Sequence, residues 1–257
     1  MGKPSETSAK PATSTAAILL AVLGLGACTT PPSGPPPQVL TPIKVVDGNT
    51  TIPAMRLSWH SDGPDTKPRT SNFGVELEYA QGSGRADQRV AGTEYVSLGG
   101  ASLLGPQDVR HRADLRYGHL ALSGITRFWG KASGLELQWV AGLGRTELEL
   151  RSESRTTADP ALTAKYQVSG VALGVGPRWN ITRELAVEGR VQSLWSWADS
   201  HDDFWYPEVA VRYRPMRNAA LRVGYSGMGS RPSKRQSGDS PVDVRISGPF
   251  LGLDVMF

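Results

Sequence analysis

From Asn72 onward, hydrophobic and polar residues alternate with period two in segments of about 9 to 15 residues separated by turn-forming clusters, the pattern of strands whose two faces meet unlike surroundings. Phe73, Val75, Leu77 and Tyr79 oppose Gly74, Glu76, Glu78 and Ala80, and Ala113, Leu115 and Tyr117 oppose Arg112, Asp114 and Arg116. A third segment sets Leu135, Leu137 and Trp139 against Glu136 and Gln138. After Gly144 its parity slips, so that Leu148 and Leu150 oppose Glu147, Glu149 and Arg151; a slip at a glycine predicts a β-bulge. The fourth, Thr163 to Asn180, is rich in Gly and Val. Leu185, Val187 and Val191 then oppose Glu184, Glu188, Arg190 and Gln192; Val209, Val211 and Tyr213 oppose Glu208, Arg212 and Arg214; Leu221, Val223 and Tyr225 oppose Arg222, Gly224 and Ser226. The last segment places Leu251, Leu253, Val255 and Phe257 against Gly252 and Asp254, with Val242 to Ile246 in the opposite parity across Gly248-Pro249. The pattern predicts eight strands.

Connections after the second, fourth and sixth strands are short (124–134, 181–183, 215–218). Those after the first, third, fifth and seventh are mostly longer and polar (82–108, 152–162, 198–203, 229–239). An up-and-down antiparallel barrel with this alternation has its long loops at one end, and an even strand number puts both termini at the other.

Ahead of this region, Ala16 to Ala27 reads AAILLAVLGLGA, an uncharged apolar run too short to span a bilayer and of signal-peptide length, preceded by Lys3 and Lys10. It ends in Leu25-Gly26-Ala27-Cys28, and Cys28 is the only cysteine of the chain. This resembles the lipobox of bacterial lipoproteins, which implies cleavage before Cys28 and its acylation. Thr29, where an Asp would signal inner-membrane retention in that family, implies export to the outer membrane. TTPPSGPPP from Thr29 to Pro37 is a semi-rigid spacer. Gln38 to Arg69, broken by Pro42, Pro53, Pro64 and Pro68, reads as linker, although VLTPIKVV and MRLSW are each candidates for a short strand. The expected organisation is a signal peptide over 1–27, a lipidated Cys28 and Pro-rich periplasmic linker over 28–71, and a barrel over 72–257.

Composition adds exclusions. The 257 residues carry 28 Lys+Arg and 24 Asp+Glu, a net charge of +4 without a dense basic block, which gives nucleic-acid binding little support. A mean hydropathy of −0.29 excludes a bundle of transmembrane helices but not strands, which place only every second residue on lipid.

The alternating segments and the terminal run FLGLDVMF, with Phe257 last, resemble the small outer-membrane barrels of the outer membrane protein A and X type. The resemblance implies an all-β, eight-stranded transmembrane barrel with extracellular loops, a lipid anchor on the periplasmic side, outer-membrane lipid as its surroundings, and Phe257 as a signal to the barrel-assembly machinery. An interior just wide enough for side chains would hold the polar face as a charge network of Glu76, Glu78, Asp114, Arg116, Glu136, Glu188, Arg190, Glu208, Arg212, Arg214 and Arg222. Aromatic girdles are expected from Trp129, Trp179 and Tyr213 near the short turns and from Trp195, Trp197, Trp205 and Tyr206 near the long loops. No catalytic constellation, metal site or cofactor is expected. His119 with Ser123, and His201 beside Asp202 and Asp203, fall short of the deacylase and calcium patterns. The expected role is structural or adhesion-like, through an extracellular ligand of the long loops, with no open pore; the alternatives are a lipid A-modifying enzyme on the same barrel or a soluble lipocalin-like lipoprotein.

Overall fold

In the computed structural model of the chain, the described residues are 38–60, 71–127, 134–196, 203–216, 218–233 and 237–256. Cys28, Phe257, Trp129, Trp197, His201 and Asp202 lie outside them. The strands are β1 (Val39–Leu40), β2 (Ile43–Asp47), β3 (Ile52–His60), β4 (Ser71–Val90), β5 (Glu94–Leu98), β6 (Ala101–Leu104), β7 (Gln107–Arg127), β8 (Leu135–Ser154), β9 (Leu162–Asn180), β10 (Leu185–Ser196), β11 (Asp203–Met216), β12 (Ala219–Arg231) and β13 (Val242–Met256).

Nine strands close a barrel in the order β3-β4-β7-β8-β9-β10-β11-β12-β13, with β13 returning to β3. All neighbours are antiparallel except that closing pair, where Phe250↔Ile52 through Met256↔Ser58 run parallel. The expected count of eight is therefore corrected. The ninth strand is drawn from the segment read as linker, where MRLSW supplies most of β3. β2 continues the line of β3 beyond a break at 48–51 and pairs in parallel with the upstream half of β13.

An odd strand number also overturns the expectation that the barrel is entered and left at one end. β3 and β13 start together at the end with the longer connections, and β13 finishes at the other.

Neither parity slip is a bulge. β7 and β8 hold one register from Val109↔Ser154 to Arg127↔Glu136, and β8 and β9 from Leu135↔Trp179 to Ser152↔Leu162. β12 and β13 are likewise unbroken from Ala219↔Val255 to Ser230↔Val244, straight through Pro249. That proline, which lacks an N–H, faces outward beside the break between β2 and β3, where the parallel ladder is interrupted. At the same break the Gly248 Cα comes so close to Thr50 that an added Cβ would lie 1.8 Å from its carbonyl oxygen.

What changes along each strand is the chemistry on its two faces. On β7 the inward side reads Val109, His111, Ala113, Leu115, Tyr117, His119, Ala121 and Ser123, and the outward side Asp108, Arg110, Arg112, Asp114, Arg116, Gly118, Leu120 and Leu122. Near Tyr117-Gly118 the outer face turns from charged to apolar while the inner face turns from apolar to polar. β9 does the same, with Thr163, Lys165, Gln167 and Ser169 outward above Val171, Leu173, Val175, Pro177 and Trp179. We call the two storeys the collar, at the end of the longer connections, and the belt.

The collar encloses an apolar core that includes Ile43, Val45, Val90, Val109, Leu115, Leu148, Leu150, Leu162, Val242, Val244 and Ile246. Its open end is capped by the β5–β6 hairpin, with β1 added in parallel to β5. Val96, Leu98 and Leu103 of this hairpin are buried in the same core. Gly99 and Gly100 take φ of 64° and 79° at its two-residue turn, the left-handed pair that matches strand twist in a tight hairpin. The Asp239 carboxylate accepts from both glycine N–H groups at 3.0 and 3.1 Å and from the Ser97 hydroxyl at 3.1 Å, fastening the cap to the β12–β13 connection. Residues 82–108, expected to form a long loop, are thus the top of β4, this cap and the first two residues of β7.

Candidate functional site

The belt interior is the most chemically concentrated part of the molecule. Every second residue of β3, β4, β8, β9, β10, β11, β12 and β13 points inward there, so one charge per strand or two is enough to fill a narrow lumen. Five arginines (Arg56, Arg178, Arg190, Arg212, Arg222) and six carboxylates (Glu76, Glu78, Glu136, Glu188, Glu208, Asp254) are all buried.

Glu78 sits at the centre. It receives Arg56 Nη2 at 3.2 Å and Gln192 Nε2 at 3.0 Å, and it is paired closely with Arg190, while Arg222 Nη2 stands 3.6 Å away. Arg190 Nη1 also reaches Glu76 at 2.7 Å. Arg222 joins Glu208 and, through Nε, Asp254 at 2.7 Å, with its guanidinium carbon 4.9 Å from the Phe250 ring centroid. Arg212 takes the other Asp254 oxygen at 3.1 Å. Toward the short turns Arg178 bridges Glu188 at 2.9 Å and Gln138 at 2.7 Å, and Arg127 pairs with Glu136 at 2.8 Å. Tyr117 donates to Gln192 at 3.1 Å and meets the rings of Phe204 and Tyr206 at tilted angles between this network and the collar core.

The expected network is partly this one. Glu76, Glu78, Glu136, Glu188, Arg190, Glu208, Arg212 and Arg222 are buried inside. Asp114 and Arg116 are not: both project outward from the collar half of β7, because the apolar Ala113, Leu115 and Tyr117 there face inward. Arg214, beyond the last paired inward position, reaches the rim and donates to the Arg183 carbonyl at 3.0 Å. Arg56, Arg178 and Asp254 were missed as lumen charges, as were Gln138 and Gln192. Arg178 and Asp254 carried a signal, since each occupies the polar parity of its segment; Arg56 was hidden by the prolines around β3. Tyr206, expected in a girdle, is buried, whereas Trp179, Tyr213, Trp195 and Trp205 stand on the outer surface.

Glu76, Glu78 and His119 bring three ligand atoms within 4.8 Å of one another. Both carboxylates already hold the Arg190 guanidinium, and Arg56 lies 3.2 Å from Glu78 and 3.5 Å from Glu76. A cation here would meet two arginines before it met the acids, so the trio reads as part of the ion-pair network. His119 Nε2 lies 3.2 Å from Glu76. Ser123, two inward positions along β7 from His119, is also buried.

In the collar, His111 is fully enclosed between the Ser152 hydroxyl at 2.8 Å and the Gln88 amide oxygen at 3.1 Å. Burial pushes its pKa down to about 4. On the collar's outer surface the side-chain hydrogen bonds from Arg110 hold Asp87 below the usual carboxylate range.

No family model, curated protein or solved structure matches this chain.

Proposed function

We propose that the protein is an outer-membrane β-barrel lipoprotein, acylated at Cys28, whose belt crosses the membrane and whose collar and cap stand in water as a structural or surface-interaction platform. The observation that carries this reading is an apolar outer belt around all nine strands. Met55, Trp59, Phe73, Val75, Leu77, Tyr79, Leu120, Leu122, Leu143, Val175, Trp179, Val191, Val209, Val211, Leu221, Val223, Leu251 and Leu253 are all exposed on it, far more apolar surface than a soluble monomer tolerates. No charged residue interrupts the outward positions of β9 between Val171 and Trp179 or of β11 between Trp205 and Tyr213.

At about 3.4 Å per residue and a tilt of about 40°, the Val171–Trp179 stretch is about 20 Å tall, slightly under the usual ~25 Å apolar band of such barrels. Trp179 and Tyr213 at one margin and Trp195 and Trp205 at the other suit the two interfaces. The ion-paired lumen and the capped collar favour a closed barrel over a pore.

Short turns are periplasmic in such barrels, so the collar faces outward. The chain then enters the barrel from the outer side, and the periplasmic anchor expected from an even strand number loses its ground.

Detergent-extracted protein should migrate differently on a denaturing gel before and after boiling, and protease should shave the collar connections on intact cells. An unshifted band, with Cys28→Ala soluble without detergent, would instead identify a soluble barrel.

A further inference from the structure

On the collar's outer surface three arginines lie side by side on adjacent strands. Arg85 of β4 is directly opposite Arg112 of β7, and Arg112 directly opposite Arg151 of β8. Directly opposed residues hold their Cβ atoms about 5 Å apart, and like charges so placed repel. All three side chains are exposed. Of the acids around the row, Asp87, Glu153 and Asp47 are committed elsewhere or shared. Asp87 is held by Arg110 at 2.9 Å and approached by Arg155 at 3.4 Å. Glu153 is divided between Arg112 at 3.4 Å and Arg151 at 3.6 Å. Asp47 turns its carboxylate to the backbone N–H groups of Arg85 and Asn49. Asp108 is opposite Arg89, a further exposed arginine, and Asp114 is opposite Ser83 and Glu149. Among the described residues the Arg85 guanidinium makes no ion pair.

We infer that the Arg85–Arg112–Arg151 row binds the phosphorylated sugars of an outer-leaflet glycolipid. The row contributes nothing to the core, and its three positive charges share one ion-paired carboxylate, Glu153, so a further anion is the partner that its chemistry lacks. Guanidinium forks match phosphate oxygens two at a time, and a row of three suits a ligand carrying several phosphates along its length. Height selects the source. Arg112 is eight residues above Leu120, the uppermost apolar outward residue of β7, which is about 27 Å along the strand and about 20 Å above the belt once tilted. That is the depth of headgroup sugars, not of the hydrocarbon boundary.

This inference rests on the membrane reading, but its test does not. The probe is the free phosphorylated core oligosaccharide of a lipopolysaccharide, titrated against the full chain in detergent, with the same sugar after chemical removal of its phosphates as comparison. Arg85→Gln/Arg112→Gln/Arg151→Gln should bind the phosphorylated probe about tenfold more weakly or worse, having lost several charge-assisted hydrogen bonds. Its melting temperature should be unchanged or raised, because the repulsion is gone. A control that removes three collar cations outside the row, Lys44→Gln/Lys165→Gln/Arg245→Gln, should stay within about twofold of the parent, since local geometry and not net charge is at issue. Equal binding by the row variant, equal loss in the control, or undiminished binding of the dephosphorylated sugar would each overturn the inference. A failed membrane reading would appear separately, in the unshifted gel band.

Discussion

The collar and the belt are made from the same strands in the same register, yet they solve opposite problems. In the collar, Leu115, Leu148 and Leu150 pack inside while Arg112, Glu149 and Arg151 face out, as in any water-soluble barrel. In the belt, Glu76, Glu78, Arg190 and Arg222 are inside while Leu77, Val191 and Leu221 face out. The backbone does not distinguish the two. What differs is the polarity of each face, and on the proposed membrane reading one strand satisfies water and lipid in sequence by reversing that polarity once.

The difference is broken most severely from inside the belt. Arg222→Ala takes the close partner from Glu208 and one of several partners from Asp254 and Glu78, and should destabilise the barrel by about 3–5 kcal/mol, whereas removing Arg212 and its partner Asp254 together should cost less than Arg212→Ala alone. Thermal unfolding of the full series in detergent checks this; equal or additive losses would contradict a coupled network. Next comes the belt surface, where Val209→Arg should cost about 2–4 kcal/mol in a bilayer, while Gln167→Arg on the collar should change stability by less than about 0.5 kcal/mol. Refolding into vesicles across a urea series reads both.

A smaller effect belongs to His111. Its pKa is depressed in the folded state, so its neutral form stabilises fully above the ordinary value of 6.5, and that stability is lost as pH falls toward about 4. The loss should reach about 3 kcal/mol at most across that window, and a neutral His111→Gln should flatten this part of the pH profile. The smallest effect is expected from the exposed Arg110–Asp87 pair, where Arg110→Ala should shift stability by under about 1 kcal/mol. Sidedness is sharpened independently: an epitope placed before Gln38 should be exposed on intact cells, and one placed after Met256 should not.

The barrel class and the lumen charges of β10, β11 and β12 were legible because those strands lie mostly in the belt, where apolar residues keep one parity from Leu185 to Tyr225. β7 misled for a physical reason. Periodicity reports that two faces differ, not which is inside, so Ala113, Leu115 and Tyr117 assigned the charged side of a collar segment to the lumen. The parity slips at Gly144 and Gly248-Pro249 were real, but they mark the polarity reversal and not a bulge. β3 was obscured because Pro53 breaks its pattern, and with it went the ninth strand, the parallel seam and Arg56. Arg56 is the cation that Glu76 and Glu78 share with Arg190.

The central claim is that the outer surface changes solvent partway along each strand. Single spin labels at the outward positions of β9, Thr163, Lys165, Gln167, Ser169, Val171, Leu173 and Val175, each introduced as cysteine in a Cys28→Ala background and reconstituted in vesicles, test it directly. The account predicts high access to a water-soluble nickel chelate through Ser169 and a crossover to oxygen, concentrated in lipid, from Val171 onward. Uniform access to the chelate along the whole strand would contradict it.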